Sequence, residues 1–241
     1  MGLALLMALL IFMALFHPAL LSAGAEILGP NDLDAYGWAS VVGVLLQVVV
    51  HELGSIAALW WMKVPLKLRI FGFGANAAAA LEPQPRNVWR DAAVGMAGPL
   101  AGAAFSVLLA LAYTLSDNPL FLGMACVGYF YNLLTLIPIL DLEGGWIAPA
   151  LAPQAWLLGI TLLVLELTAA FNLVLLCVVC FALPRFVQLL RARTPRTDLA
   201  CTGRQRVILG VGYFVLILGL AWFSSTTFEA LPRLVRASMG D

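Results

Sequence analysis

The hydrophobic residues of this chain lie in long runs that are separated by short polar stretches. A helix needs about 20 apolar residues to cross the roughly 30 Å hydrocarbon core of a bilayer. Runs of this length or longer occur six times, at 1–23, 37–62, 92–115, 119–140, 155–184 and 207–230. The pattern therefore predicts an all-α polytopic membrane protein with about six transmembrane segments.

The connection 63–91 differs from the other connections because part of it has a different period. Residues 67–71 (Lys-Leu-Arg-Ile-Phe) alternate polar and apolar side chains and lead into Gly72 and Gly74. Alternation with period two is typical of a strand rather than a helix. We expect a short β element here, at the membrane interface.

Composition excludes a water-soluble globular fold. Of the 241 residues, 63% are hydrophobic and 11% are charged, against roughly 45–50% and about 25% in soluble domains. Thirteen Lys and Arg balance thirteen Asp and Glu, so the charge does not indicate a nucleic-acid partner. We expect one membrane domain over 1–241, with a core at 37–151 and peripheral helices at 1–23, 155–184 and 207–230.

Basic residues are concentrated in two connections, 63–91 and 185–206, which hold eleven of the thirteen Lys and Arg. The positive-inside rule places both in the cytoplasm. The connections 24–36 and 116–118 carry no Lys or Arg and belong on the opposite side, in a bacterial-type inner or plasma membrane. Both basic connections face the cytoplasm only if the thirty residues of 155–184 form a hairpin of two short helices. The alternative is one tilted helix.

The second run contains two adjacent ionisable residues, His51 and Glu52. Ionisable side chains inside a membrane are energetically costly and are functional by default; the simpler interpretation is a buried pair that only fixes helix packing. In an H-E-x-x-H motif, two histidines on one helix face bind zinc and the glutamate is the general base. Here Ser55 occupies the position of the second histidine.

The fourth run ends in a segment that combines a proline, two carboxylates and paired glycines, residues 132–145. Pro138 and the glycines are expected to unwind the helix around Asp141 and Glu143, and broken helices in membranes usually line a site. The simpler interpretation is that the carboxylates only mark the cytoplasmic end of the span.

The third run contains Gly98 and Gly102, four residues apart. This spacing lets membrane helices approach closely. We expect these glycines to serve helix packing without taking part in any chemistry.

In their order along the chain, these motifs resemble the site-2 proteases, which are polytopic intramembrane zinc metalloproteases that cut membrane-embedded substrates. That family shares an H-E-x-x-H helix, a basic strand-like connection, a Gly-Pro helix, and an Asn-x-x-Pro segment followed by Leu-Asp-Gly. The corresponding segments here are His51 to Ser55, Lys67 to Phe71, Gly98-Pro99 and Thr135 to Gly145. The resemblance extends over most of the chain.

The resemblance implies a role for each matching residue. His51 and Glu143 would be zinc ligands, Glu52 the general base, and Thr135 the polar residue near the substrate. Asn132 lies one helical turn before Thr135, on roughly the same face, and is a candidate to supply the amide function that the family has at this position. The implied partners are transmembrane segments of membrane proteins, bound within the lipid bilayer.

Three positions depart from the family pattern. Glu143 replaces an aspartate, which is tolerable because either carboxylate binds zinc, and Thr135 replaces an asparagine. Ser55 replaces a histidine, and a neutral hydroxyl is a poor zinc ligand where a catalytic site normally needs three protein ligands and water. Two ligands would hold zinc weakly. Asp141 is a candidate substitute ligand.

Three functions follow from these residues. The first, which we favour, is a site-2-protease-like protein whose proteolysis is impaired by Ser55, acting as a pseudoprotease that binds transmembrane segments. The second is an active intramembrane metalloprotease with a rearranged site of His51, Asp141 and Glu143. The third is a proton-coupled transporter that uses the buried His–Glu pair.

Overall fold

The computed structural model describes residues 32–63, 88–138, 142–152 and 201–238, and the structural statements below concern these residues. They form five helices and no strand: α1 (Asp32–Trp61), α2 (Val88–Ser116), α3 (Pro119–Thr135), α4 (Glu143–Leu151) and α5 (Gly203–Ser238). An all-α fold is confirmed for this part of the chain. The expected β element at 67–71 lies outside the described residues, as do Asp141 and the runs 1–23 and 155–184.

Two of these helices are long and apolar enough to cross a membrane, by length and composition: Val88–Ser116 and Gly203–Thr227. The apolar parts of α1 and α3, Leu45–Trp61 and Leu120–Thr135, are shorter. These helices support membrane association. The full arrangement of six segments stays a prediction.

The turn between α2 and α3 follows directly from the residues at 117 and 118. Asp117 has a φ of 53°, a left-handed conformation that Asp tolerates better than most residues. Asn118 then caps α3, because its side-chain oxygen accepts a hydrogen bond from the Leu120 amide at 3.0 Å. Pro119 follows at the first turn, where its missing N–H costs nothing. A connection of two residues makes α2 and α3 antiparallel neighbours.

The structure has a helix break before Glu143, but Glu143, Gly144 and Gly145 form the first turn of the next helix, so the predicted unwinding does not extend to Glu143 or to the glycines. α3 ends at Thr135, and the next two amides bond in a tight turn, from Leu136 to the Leu133 carbonyl at 3.2 Å and from Ile137 to the Leu134 carbonyl at 3.1 Å. α4 then begins at Glu143. Gly144 lies directly against the carbonyl oxygens of residues 136 and 137, with no room for a Cβ atom. The start of α4 is thereby pressed onto the end of α3.

α2 is the central helix, since it packs against α1, α3 and α4, while α5 packs mainly against α3. The buried core between them includes Met96, Leu109, Met124, Tyr129, Ile147 and Tyr213. The outer face of α5 is instead apolar and exposed at Val207, Ile208, Val211, Phe214, Val215, Leu218 and Trp222. A continuous exposed apolar face of this kind suits contact with lipid.

Candidate metal centre

His51 lies at the centre of a small polar cluster inside this helical bundle. Its side chain is 1% exposed and reaches from α1 toward α3 and α4. The Nδ1 atom is 2.8 Å from Oδ1 of Asn132, and the Nε2 atom is 3.3 Å from Oε1 of Glu143. The structure therefore brings together the residues that the sequence predicted as a ligand pair, together with Asn132.

A chain of hydrogen bonds continues from Asn132 into the interior. The Asn132 Nδ2 atom donates to the Gly128 carbonyl at 2.7 Å and to Gln47 Oε1 at 3.5 Å. Gln47 Nε2 donates to Ser106 Oγ at 2.8 Å, and that hydroxyl donates to the Gly102 carbonyl at 2.9 Å. Gln47, Ser106 and Asn132 are all fully buried. We call these three residues and their bonds the amide relay.

Glycines make room for this cluster. A Cβ atom on Gly98 would lie 2.6 Å from both His51 Nε2 and Ser55 Oγ. Gly102 leaves no space for a Cβ beside the Asn132 amide, and Gly128 leaves none beside the Gln47 amide. Gly98 and Gly102 thus permit the close helix packing that was expected, and each lies directly against a polar side chain of the site.

The two carboxylates of the site differ in their placement. Glu143 is the first residue of α4, where the positive end of the helix dipole stabilises a negative charge. Its side chain is 14% exposed. Glu52 follows His51 on α1, is partly buried, and lies close enough to interact electrostatically with His51 and Glu143. One carboxylate therefore faces the imidazole directly and a second lies near it.

Ser55 and Thr135 are both buried. Ser55 is 1% exposed, and its Oγ and His51 Nε2 both lie 2.6 Å from the position that a Cβ atom on Gly98 would take. The Thr135 hydroxyl donates its proton to the Asn132 carbonyl at 2.9 Å, within the same helix. Asp141 lies outside the described residues.

Three residues of the cluster were not identified from the sequence: Gln47, Ser106 and Tyr131. Gln47 had a usable signal, since it lies four residues before His51 and so shares its helix face. Ser106 lies one turn after Gly102 in an apolar run, and a buried serine in such a run often bonds only to its own helix. Tyr131 contacts His51 edge to face, with ring centroids 5.4 Å apart.

The geometry around His51 Nε2 fits a metal ion. This atom is buried and has no hydrogen-bond partner among the described residues, although a carboxylate oxygen lies 3.3 Å away. Two zinc ligands at about 2.0–2.1 Å, arranged tetrahedrally, are themselves roughly 3.3 Å apart. In the described part of the chain, no group of three His, Cys, Asp or Glu side chains could hold a metal. The donor set thus offers two strong ligands, with Ser55 beside them.

Comparisons with protein-family models, with curated proteins and with solved structures found no match. The resemblance to the site-2 proteases therefore rests on the sequence motifs described above.

Proposed function

We propose that this chain is a multi-pass integral membrane protein of site-2 protease type with an incomplete zinc site. His51 and Glu143 hold the metal, and Ser55 leaves the site one ligand short, so that metal-dependent intramembrane proteolysis is impaired. Its partners are transmembrane segments of other membrane proteins, within a bacterial-type inner or plasma membrane.

One observation carries this proposal: the Nε2 atom of a buried imidazole lies 3.3 Å from a carboxylate oxygen, at ion-pair distance, and has no other polar partner among the described residues. A buried polar atom that lacks a partner costs about 1–3 kcal/mol. When Nε2 carries no proton, both atoms are acceptors, and a cation bound between them would stabilise the contact. Zinc accepts both imidazole nitrogen and carboxylate oxygen as ligands.

The other steps of peptide hydrolysis would depend on the metal and on the residues around His51 and Glu143. Zinc, when bound, would polarise a peptide carbonyl and activate water. Glu52, beside His51 in the sequence, is placed to accept a proton and pass it to a leaving amine. The buried position of His51 keeps bulk water away from the pair. Because the chemistry needs a firmly held metal, the weakness of the site at Ser55 limits all of these steps.

Metal content tests the proposal. We expect the native protein to bind zinc weakly or below one equivalent, and Ser55→His to bind about one per chain, because it restores an i, i+4 imidazole pair. Since histidine is large for this buried position, Ser55→Cys provides a second test: it is nearly isosteric and adds a thiolate ligand. Ser225→His, on the exposed part of α5, is the control for an added histidine. Tight equimolar zinc in the native protein would refute the incomplete site and favour Asp141 as a further ligand.

Cleavage of a model transmembrane peptide tests the enzymatic part. We expect no cutting by the native protein and cutting by Ser55→His that disappears when Glu52→Gln is added, with the metal content unchanged. If the native protein cuts and Glu52→Gln stops it, the protein is an active protease with a rearranged site.

A further inference from the structure

The direction of the hydrogen bonds in the amide relay has a consequence for His51. The donor and the acceptor of each hydrogen bond in the relay are fixed, because Ser106 and Asn132 each donate to a backbone carbonyl. A carbonyl accepts hydrogen bonds and never donates them. The orientation of each side chain can therefore be followed inward from these carbonyls.

The first anchor is the Gly102 carbonyl. Ser106 donates its single proton there at 2.9 Å, so its oxygen is left to accept from Gln47. The Gln47 amide nitrogen must then point to Ser106, at 2.8 Å. This turns Gln47 Oε1 toward the amide nitrogen of Asn132, at 3.5 Å.

The second anchor is the Gly128 carbonyl, which accepts from Asn132 Nδ2 at 2.7 Å. The reversed amide would place Asn132 Oδ1 against this carbonyl and against Gln47 Oε1, so that acceptors would face acceptors at both contacts. The bonds to the Gly102 carbonyl and to the Gly128 carbonyl therefore both require that Oδ1 of Asn132 points at His51. An amide oxygen only accepts, so the proton in the 2.8 Å contact belongs to His51 Nδ1.

We propose that Asn132, Gln47 and Ser106 are positioning residues that hold neutral His51 as the Nδ1–H tautomer and so direct the lone pair of Nε2 toward Glu143 before any metal is bound. A neutral imidazole has one N–H group, and the relay assigns it to Nδ1. The lone pair of Nε2 then points into the space shared with Glu143 Oε1. The assignment of the tautomer is independent of the proposed function; only the statement that the lone pair serves to bind a metal rests on it.

The relay differs in charge from the carboxylate that often orients a metal-binding histidine. All three of its side chains are neutral and fully buried, so they fix the tautomer without adding a further negative charge to a site that already contains Glu52 and Glu143. Gly102 and Gly128 let the backbone approach these side chains closely, and Gly98 does the same beside His51.

Nitrogen NMR on the full-length protein tests this inference. The chain has two histidines, so His17→Gln leaves His51 as the only signal in a sample labelled with ¹⁵N-histidine. In chelator-treated protein at mildly alkaline pH, we expect the proton on Nδ1 and a bare Nε2. A proton on Nε2 instead, or protons on both nitrogens, would overturn the inference.

Variants show whether the relay is the cause. Asn132→Leu removes the acceptor and is expected to shift His51 toward the Nε2–H tautomer. Ser106→Ala, which is smaller and does not touch His51, is expected to shift it partly in the same direction while the fold is retained. Thr227→Val is the matched control, because Thr227 is a buried hydroxyl on α5 that bonds to its own helix. An unchanged Nδ1–H tautomer in both relay variants would contradict the positioning role.

A metal measurement separates this inference from the proposed function. In the Ser55→His background, we expect Asn132→Leu to weaken zinc binding about 10- to 100-fold, as loss of an outer-shell partner commonly does. Protein that shows the Nδ1–H tautomer but never binds zinc would support the relay and refute the metal site. Protein that binds zinc but shows the Nε2–H tautomer in its metal-free form would support the metal site and refute the relay.

Discussion

At the scale of single residues, Tyr131 presents a feature that the sequence did not reveal. Its side chain is 7% exposed, and its hydroxyl has no hydrogen-bond partner among the described residues. Tyr213, by contrast, donates to the Leu136 carbonyl at 2.5 Å from a similarly buried position. The two tyrosines therefore form a natural pair for comparison.

We predict that removing the two hydroxyls has opposite effects. Tyr131→Phe should leave the free energy of unfolding unchanged or raise it by about 1 kcal/mol, because no bond within the described structure is lost. Tyr213→Phe should lower it by about 1 kcal/mol or more, because it leaves the Leu136 carbonyl without its donor. Reversible unfolding in mixed micelles measures both. An equal loss in the two variants would show that the Tyr131 hydroxyl has a partner.

The sequence identified the residues of the site that carry distinctive chemistry. His51 is conspicuous in an apolar run, and Asn132 and Glu143 are conspicuous on either side of a helix break. Gln47 and Ser106 matter through their hydrogen bonds to residues on other helices, such as the bond between them across 59 positions of sequence. A single sequence shows no such pairing, because a neutral polar residue in an apolar run has many possible partners.

At the scale of the helices, both the continuity of α2 and a break after α3 were predicted from the sequence. The run 92–115 forms one helix that includes Pro99, and α3 ends before Pro138. The paired glycines Gly144 and Gly145, in contrast, lie inside α4 and do not unwind a helix. Pro99 does not end α2, although proline removes a helical hydrogen bond. Neighbouring helices in a membrane bundle allow such a proline. The role of the glycines in α2 depends on what α1 and α3 place against them, which only the packing reveals.

We predict that glycines differ sharply in their tolerance of a methyl group. Gly102→Ala should destabilise the fold by roughly 1–3 kcal/mol, since the Cβ would overlap the Asn132 amide. Gly219→Ala, on α5, should be neutral or stabilising by about 0.5–1 kcal/mol, because a Cβ there meets no described atom within 4 Å and alanine favours a helix. Comparison of their unfolding transitions checks this. If Gly102→Ala is as stable as the native protein, the side chains of the relay can shift to make room for the methyl group.

At the scale of the whole molecule, orientation in the membrane was argued from charge alone. The described residues include the ends of both basic connections, at Lys63 in the turn after α1 and at Arg204 in α5, and both side chains are exposed. The turn at Ser116 and Asp117 is also exposed. These positions allow the topology to be tested without disturbing the core.

We predict that Lys63→Cys and Arg204→Cys are both inaccessible to a membrane-impermeant thiol reagent in intact cells and react after permeabilisation. Ser116→Cys, on the predicted opposite side, should react in intact cells and is the positive control. Labelling of Arg204→Cys from outside while Lys63→Cys stays protected would mean that 155–184 crosses once.

The amide relay also limits how this sequence can change over generations. A single replacement at position 47, 106 or 132 strands the polar group of a neighbour in an apolar interior, whereas a second replacement that removes the stranded group recovers much of the lost stability. Paired substitutions here should therefore cost less stability than the sum of the single ones. Among descendants of a common ancestor, these three positions would be expected to covary, although they lie on three different helices.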